Sequence, residues 1–396
     1  LSTSNSPSAQ NVVAGSQGYT FANIQFDTTG SGEDVKFTTF PVNYSTNGTV
    51  TDATSCQLWN GSTALNTGSN VVNPSAVSSS TTFTFNKPLI LPKGVVTTLA
   101  LKCNLSSAAS ANEVHYWSYA PASTPSATGV TSGQSATITE PTAANSLGQA
   151  QTVATKGTIT VTLDSSSPSY KLASGGTTGN TVNVLKFTGT NEAITLQRVA
   201  LVLSNTASSS ASDVSQVTLW DGATQVGSAI FTSGSTVATS TLTSTVTIPK
   251  NGTKLLTVKA DLADIGTGAP GTEGHHLDVD YDDSATIGTR GIGAESGQTI
   301  DRTSGSDTAS AGVRIFNTFP TITKLSVPTN TLSNGEKVLL RWKVDADSRG
   351  DVGISKFTIT MATTTASVTG VDIYAYSDSN FGTPVSGLSN DGGFLV

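Results

Sequence analysis

The chain repeats itself at the length of a whole domain, and this feature constrains its fold more than any other. Three anchor residues recur in order, because Phe26, Trp59 and Pro92 return as Phe187, Trp220 and Pro249. The first half of the unit returns again at Trp342 and Tyr374. A repeat of this length is a complete folding unit. The sequence therefore predicts a tandem array of about three units in which the terminal ones are incomplete.

Each unit is predicted to be all-β. Charged residues make up 12% of the chain, and Ser, Thr and Val, which suit pleated strands, dominate the rest. In the second unit, strand-like segments separated by turn residues are found at 157–163, 183–188, 194–203, 215–220, 241–248 and 254–262. This spacing favours an immunoglobulin-like sandwich in which Trp220 is a core anchor before an Asp-Gly turn.

The repeat sets the domain boundaries at 1–140, 156–300 and 318–396, with Ser/Thr-rich connectors at 133–156 and 301–312. The first unit has only residues 1–3 for its opening strand, and the third is predicted to have strands at 321–327, 338–344, 353–360 and 371–376 before it stops. A sandwich that lacks a strand has an open edge. Either the natural chain is longer, or neighbouring subunits complete the terminal units by strand addition, so that the protein self-assembles through domain edges.

Charge and hydropathy exclude several classes of partner. The net charge is -7, and the 20 Lys and Arg residues are scattered, which argues against nucleic acid. No apolar run is long enough for a transmembrane segment. The chain begins at Leu1, as expected of a secreted protein whose signal peptide has been removed. We therefore expect an extracellular or cell-surface location.

The two cysteines suggest a disulfide. Cys56 and Cys103 fall at the positions of Val217 and Ala260 in the second unit, so both should point inward. A bond between them would stabilise the first unit by about 3 to 4 kcal/mol in the loop-entropy model. Two buried free thiols are the alternative.

Two acidic segments are candidate cation sites. Strand alternation places Asp278, Asp280 and Asp282 on one outer face, where two of the carboxylates could share Ca²⁺ if a neighbour supplied further oxygens. A solvated polar face is the alternative. The second segment, 345–351, resembles the opening of a calcium loop and contributes three more candidate ligands, Asp345, Asp347 and Asp351. It lacks the closing Glu, and an ordinary polar turn is the alternative. Ca²⁺ is thus possible, and no cofactor is required.

The aromatic segment 115–119 has two interpretations. Alternation places His115, Trp117 and Tyr119 on one face, either as a sugar-binding platform or as part of a core or interface. Glycan attachment is a separate possibility, because five Asn-x-Ser/Thr sequons are present, at Asn43, Asn47, Asn60, Asn104 and Asn251.

Catalytic signatures are scarce. The chain has three His residues and contains neither a nucleophile elbow nor a metalloprotease or phosphate-binding motif. We therefore predict that it is not an enzyme.

A family resemblance rests on three segments of the second unit: Leu-Trp-Asp-Gly at 219–222, Ile-Pro-Lys at 248–250 and Leu-Thr-Val-Lys-Ala-Asp-Leu at 256–262. With their first-unit counterparts they resemble the immunoglobulin-like repeats of large cell-surface and surface-layer proteins of bacteria such as Parcubacteria. The resemblance implies a tandem sandwich protein that forms surface arrays or filaments, often with Ca²⁺ at boundaries. A secreted adhesin or carbohydrate-binding surface protein is the alternative.

Overall fold

The computed structural model describes residues 2–3, 6–77, 79–119, 126–139, 148–283, 288–302 and 305–385. Strands dominate the described residues, and the helical elements found there are three short 3-10 turns at Val50–Asp52, Gly68–Asn70 and Ala211–Asp213. The prediction of an all-β chain built from β-sandwich units is confirmed. The immunoglobulin-like topology and the count of three units remain predictions.

The first unit is a sandwich of two sheets. Its strands are β1 (Ser2–Thr3), β2 (Gln10–Val13), β3 (Tyr19–Asp27), β4 (Val35–Thr46), β5 (Ala53–Asn60), β6 (Thr63–Ala64), β7 (Ser79–Leu91), β8 (Val96–Leu105), β9 (Val114–Tyr119), β10 (Ala127–Gly129) and β11 (Gln151–Ala154). One sheet has the order β1-β3-β8-β5-β6, and the other has the order β10-β4-β9-β11-β2, with β7 also paired to β4. The inward faces of these sheets enclose one core, in which Phe21, Phe40, Phe83 and Trp117 are among the largest buried side chains.

The second unit repeats this arrangement. Its strands are β12 (Thr158–Leu163), β13 (Lys171–Ser174), β14 (Asn180–Thr190), β15 (Ile194–Leu203), β16 (Val214–Asp221), β17 (Thr224–Ala229), β18 (Val237–Ile248), β19 (Thr253–Leu262), β20 (His276–Leu277), β21 (Val279–Tyr281), β22 (Thr289–Gly293), β23 (Thr299–Arg302) and β24 (Val313–Phe316). Here β17 pairs with β18, so the two layers join into one sheet of order β12-β14-β19-β16-β17-β18-β15-β22-β23, with β21 also paired to β15. A second sheet has the order β13-β24-β20.

In both units the last strand pairs in parallel with the second strand, and corresponding residues lie opposite each other. Gln151 of β11 lies opposite Gln10 of β2, and Val313 of β24 lies opposite Lys171 of β13. Both closing strands fall in or directly after segments predicted as connectors. Val153, Val313 and Ile315 are buried in the two cores, so the units extend to residues 154 and 316, beyond the predicted boundaries at 140 and 300.

The opening strands of the two units differ in length. In the second unit, β12 pairs with six residues of β14. In the first unit, the described residues of β1, Ser2 and Thr3, pair with Gln25 and Ile24 of β3. The missing or donated opening strand of the first unit stays a prediction.

The described part of the third unit, residues 318–385, contains two strands. β25 (Thr321–Leu325) and β26 (Arg341–Asp345) are antiparallel, with Thr321 opposite Asp345. The segments 353–360 and 371–376, predicted as strands, do not form strands. Two strands cannot enclose a core, and large apolar side chains such as Ile322 and Leu332 are 59% and 65% exposed.

The repeated tryptophans do not anchor the cores as predicted. Leu58 and Leu219 point inward, so Trp59 and Trp220, which follow them directly, lie on the outer faces of their strands. Each ring is covered by a lysine instead: Lys102 Nζ lies 4.7 Å from the Trp59 ring centroid, and the corresponding distance for Lys259 and Trp220 is 4.0 Å.

Candidate functional site

A turn after the second strand of each unit is built in the same way in both complete units. We call it the glycine turn: Gly15–Ser16 in the first unit and Gly176–Thr177 in the second. Gly15 has φ +95° and Gly176 has φ +68°, a region that favours glycine. Gly15 N donates to Ser106 O and Leu105 N donates to Ser16 O; in the second unit the same two bonds run from Gly176 N to Ala263 O and from Leu262 N to Thr177 O. The glycine turn is therefore a fixed part of the fold.

A second turn, with the sequence Ser-Gly-Gln, also recurs at 132–134 and 296–298. Gly133 has φ +66° and Gly297 has φ +64°. In the second unit a buried carboxylate, Glu192, organises this turn: its Oε2 accepts from Glu295 N at 3.0 Å and from Ser296 N at 2.9 Å. Its Oε1 accepts from Ser296 Oγ and from Gly157 N, both at 2.8 Å.

Glu33 has the same role in the first unit. Its Oε2 accepts from Thr131 N at 2.6 Å and from Ser132 N at 2.9 Å. A hydrogen bond from the Ser132 side chain, followed by these two backbone hydrogen bonds, lowers the pKa of the Glu33 carboxyl because each favours its charged form. The Ser-Gly-Gln turns are therefore clasped by corresponding carboxylates, and sequence analysis missed both of them. The identical tripeptide was the signal that could have revealed them.

The glycine turn of the first unit contacts the Ser-Gly-Gln turn of the second. A Cβ atom at Gly15 would lie 3.2 Å from the carbonyl oxygen of Ser296 and 3.5 Å from Cγ of Gln298. Gly15, Ser16 and Ser296 are buried at this contact. Beside it lies an open groove of about 360 Å³, lined largely by hydroxyl and amide groups that include those of Asn104 and Gln17.

The glycine turn of the second unit contacts the third unit. Arg349 Nη1 donates to Gly176 O at 3.2 Å, and its Nη2 donates to Asp264 Oδ1 at 2.6 Å. Ser174 Oγ donates to Asp347 Oδ2 at 2.5 Å. A side chain at Gly176 would collide with both the Asp264 carboxylate and the Arg349 guanidinium. Both junctions therefore place a glycine turn against the unit that follows.

The segment proposed as a calcium loop thus lies at a junction. The Asp347 carboxylate already accepts two hydrogen bonds, one from Ser174 Oγ and one from Arg349 N, which donates to Oδ1 at 2.8 Å. Asp345 pairs with Lys343 at 2.8 Å, and the carbonyl of Asp351 accepts from Thr318 Oγ1. Over the described part of the chain, no group of three or more His, Cys, Asp or Glu side chains is placed to hold a metal. Ca²⁺ binding at either acidic segment stays a prediction.

The other acidic segment is covered, not solvated. Leu277, Val279 and Tyr281 alternate with these aspartates and point into the core, but Asp280 and Asp282 are only 1% and 2% exposed. The segment 307–312 lies over their face: Ser310 N donates to Asp280 Oδ1 at 2.7 Å.

Two carboxylate oxygens of this covered face are buried: Asp280 Oδ2 has no hydrogen-bond partner among the described residues, and Asp278 Oδ1 lies 3.3 Å from His276 Nε2. Burial, opposed by the nearby His276 and reinforced by the charge of Asp280, raises the pKa of Asp278. The predicted outer face is therefore a desolvated acidic pair beneath a covering segment.

The aromatic row is part of the first core. His115, Trp117 and Tyr119 share one face, as predicted, but that face points inward and the three residues are 0%, 1% and 3% exposed. His115 Nδ1 lies 2.6 Å from Tyr44 Oη. A buried ring cannot stack on a sugar, so the ligand-binding prediction for Trp117 and Tyr119 is wrong and the core interpretation is confirmed.

The disulfide between Cys56 and Cys103 is confirmed. The bond joins neighbouring strands β5 and β8, and both residues are buried. In the second unit, Val217 of β16 lies opposite Ala260 of β19. The alignment of the cysteines with this apolar pair therefore identified a true cross-strand position.

The five sequons differ in accessibility. Asn47, Asn60 and Asn251 are exposed, whereas Asn43 and Asn104 are partly buried. The side chain of Asn104 accepts a hydrogen bond from Gly18 N at 2.8 Å. Glycan attachment stays a prediction at all five.

Within the described residues, none of the helical segments is long and apolar enough to cross a membrane. Among the described residues, the contact between a glycine turn and the following unit occurs at both junctions. Comparison with known proteins adds no family to this description, since no protein-family model and no curated protein matches the chain.

Proposed function

We propose that the chain is an extracellular structural protein that assembles into a cell-surface layer or filament. The observation that carries this proposal is that the same turn of the preceding unit is used at both junctions. The glycine turns at Gly15 and Gly176 occupy corresponding positions, and each contacts the unit that follows it.

Short connectors support a structural role. Residues 155–157 join β11 to β12, and residues 317–320 join β24 to β25. Connectors this short, combined with side-chain contacts across the junction, limit the motion of one unit relative to the next. A chain of this kind transmits force and holds a regular spacing, which a layer or filament requires.

The disulfide favours an extracellular location. Disulfides persist in oxidising environments and are rare in reducing ones. Cys56 and Cys103 are the two cysteines of the chain, and both are in the bond.

Electron microscopy of the purified full chain, over a range of protein and Ca²⁺ concentrations, tests the proposal. We expect fibres or ordered sheets with an axial repeat set by the length of the chain. Particles that stay monomeric at every concentration would contradict it. A glycan array on the same sample would separate this function from that of an adhesin.

A further inference from the structure

We propose that a groove beside strand β15 of the second unit binds the carboxylate groups of an acidic polysaccharide. This inference goes beyond the proposed function, because it assigns a ligand to the second unit alone. An assembled layer or filament can also hold such a polymer, so binding and assembly are tested separately.

The groove forms where two neighbouring strands separate. β15 and β18 pair on both sides of an irregularity, with Leu196 opposite Val246 and Arg198 opposite Thr241. Four residues of β18, 242–245, therefore face a single residue of β15. A strand with extra residues bulges away from its partner, and an open groove of about 480 Å³ lies at this point.

Two arginines line this groove. Arg198 of β15 lies directly opposite Arg290 of β22. Like charges at opposite positions of neighbouring strands repel each other. The pair therefore favours an anion that contacts both guanidinium groups.

One carboxylate, that of Asp301, compensates this pair only in part. It accepts two hydrogen bonds from Arg290, at 2.6 and 3.0 Å, whereas Arg198 Nη2 lies 3.8 Å from its Oδ1. Among the described residues, the Arg198 side chain makes one hydrogen bond, from Nε to Gly288 O at 2.8 Å. None of the described residues that line the groove is acidic. The Nη groups of Arg198 are therefore available to a ligand.

Hydroxyl groups make up most of the remaining lining, and they belong to Thr195, Thr241, Thr243, Ser244 and Thr245. The leucines of the lining, Leu196 and Leu242, are buried and half-buried, so the groove offers no apolar pocket to the side chains of a peptide. A guanidinium matches the geometry of a carboxylate, and hydroxyl groups both donate to and accept from sugar hydroxyls. A polymer that carries carboxylates and hydroxyls fits both parts of the groove.

The first unit has the same irregularity without the arginines. Four residues of β7 face one residue of β4, in the corresponding register. Thr39 occupies the position of Arg198. Ser126, which directly precedes β10, occupies the position of Arg290. The paired positive charges are therefore an addition to a framework that both units share, and the first unit supplies the residues for a matched variant.

The double variant Arg198→Thr, Arg290→Ser copies the first unit and tests the site. Binding of the full chain is measured on an array of glucuronic, galacturonic and mannuronic acid oligomers, printed beside their methyl esters. The unmodified chain should bind the acids and not the esters. The variant should bind at least about tenfold more weakly, because the charge-assisted hydrogen bonds are lost. The control, Lys87→Gln, Lys93→Gln, removes two exposed positive charges from the first unit and should bind as the unmodified chain does.

A second variant, Arg198→Lys, leaves the contact between Arg290 and Asp301 in place. It keeps the positive charge and removes the planar fork, so its affinity should lie between those of the unmodified chain and the double variant.

Three outcomes would each overturn the inference: no binding of the acids by the unmodified chain, equal binding by the double variant and the control, or equal binding of polyglutamate in place of the sugars. Electron microscopy of the same samples tests assembly. Fibres or sheets without glycan binding would leave the proposed function intact, whereas glycan binding without assembly would overturn the proposed function alone.

Discussion

Asp213 Oδ2 lies 2.8 Å from His275 Nδ1 in the second unit, and the corresponding residues of the first unit are Asp52 and Glu113. Asp52 precedes β5 as Asp213 precedes β16, and Glu113 precedes β9 as His275 precedes β20. One unit therefore has an acid and a base at this position, whereas the other has two acids. Burial, followed by the hydrogen bond and the charge of Glu113, raises the pKa of Asp52.

This difference predicts opposite effects of matched substitutions. Because the folded-state pKa of Asp52 is above its unfolded value, its contribution to stability is present at low pH and is lost as the pH rises through the raised pKa. Glu113→Gln removes the charge that repels the Asp52 carboxylate. We therefore expect the free energy of unfolding of the first unit to rise by on the order of 1 kcal/mol at neutral pH. His275→Gln should instead destabilise the second unit, because it removes a favourable partner of buried Asp213. Urea unfolding from acidic to neutral pH checks both, and an unchanged pH profile in Glu113→Gln would refute the interpretation.

The carboxylates that hold the Ser-Gly-Gln turns, Glu33 and Glu192, are predicted to contribute differently to the stability of their units. Glu192→Gln replaces an acceptor oxygen with an amide nitrogen next to backbone donors in a fully buried site. We expect the free energy of unfolding of the second unit to fall by about 3 kcal/mol. Glu33→Gln, at the corresponding half-buried position, should cost less because water can solvate the released donors. Denaturant midpoints measure both, and equal costs would contradict the importance of burial.

The disulfide predicts selective sensitivity to reduction. Its cysteines are separated by 47 residues, and closing a loop of this size stabilises a fold by about 4 kcal/mol in the loop-entropy model. The double variant Cys56→Val, Cys103→Ala copies the second unit at these positions and keeps the core apolar. It should lower the melting temperature of the first unit, and a reducing agent should have no further effect on it. A melting temperature equal to that of the oxidised protein would refute the prediction.

Replacing the lysines that lie over the tryptophan rings is predicted to cause small losses of stability that differ between the two units. Lys259→Gln should cost about 0.5 to 1 kcal/mol through loss of the cation–π contact with Trp220. Lys102→Gln should cost less, because its distance from Trp59 is longer. Unfolding followed by tryptophan fluorescence measures both. The opposite order would show that another contact dominates.

The contact between the second and third units predicts a change in protease sensitivity. Arg349→Gln removes the bonds to Asp264 and to Gly176 O. We expect cleavage within 317–320 to accelerate up to about fivefold, the range that an exposed ion pair can supply. Lys343→Gln breaks a pair inside the third unit and is the matched control. Equal rates in the two variants would indicate that the junction is held by other contacts.

In the third unit, repetition of the sequence pattern does not suffice to predict strands. The pattern that forms strands in the complete units also predicts strands at 353–360 and 371–376, yet Ile354, Ile359 and Val371 are 39%, 43% and 55% exposed there. A strand pattern reports which face of a strand should be buried. Burial itself requires a facing sheet, and residues 318–385, the part of this unit that the structure describes, do not form one.

The sequence by itself determined the all-β class, the repeated unit and the position of the disulfide, because these follow from local alternation and from matching one copy against another. The tertiary structure alone decided which side faces the core in the aromatic row and in the strands that carry the repeated tryptophans. Alternation marks two faces without saying which is inside, so Trp117 and Tyr119 are core residues and Trp59 and Trp220 are outer ones. It also decided the junctions: Gly15 and Ser296, or Ser174 and Asp347, meet only after each unit has folded and the short connectors have brought their ends together.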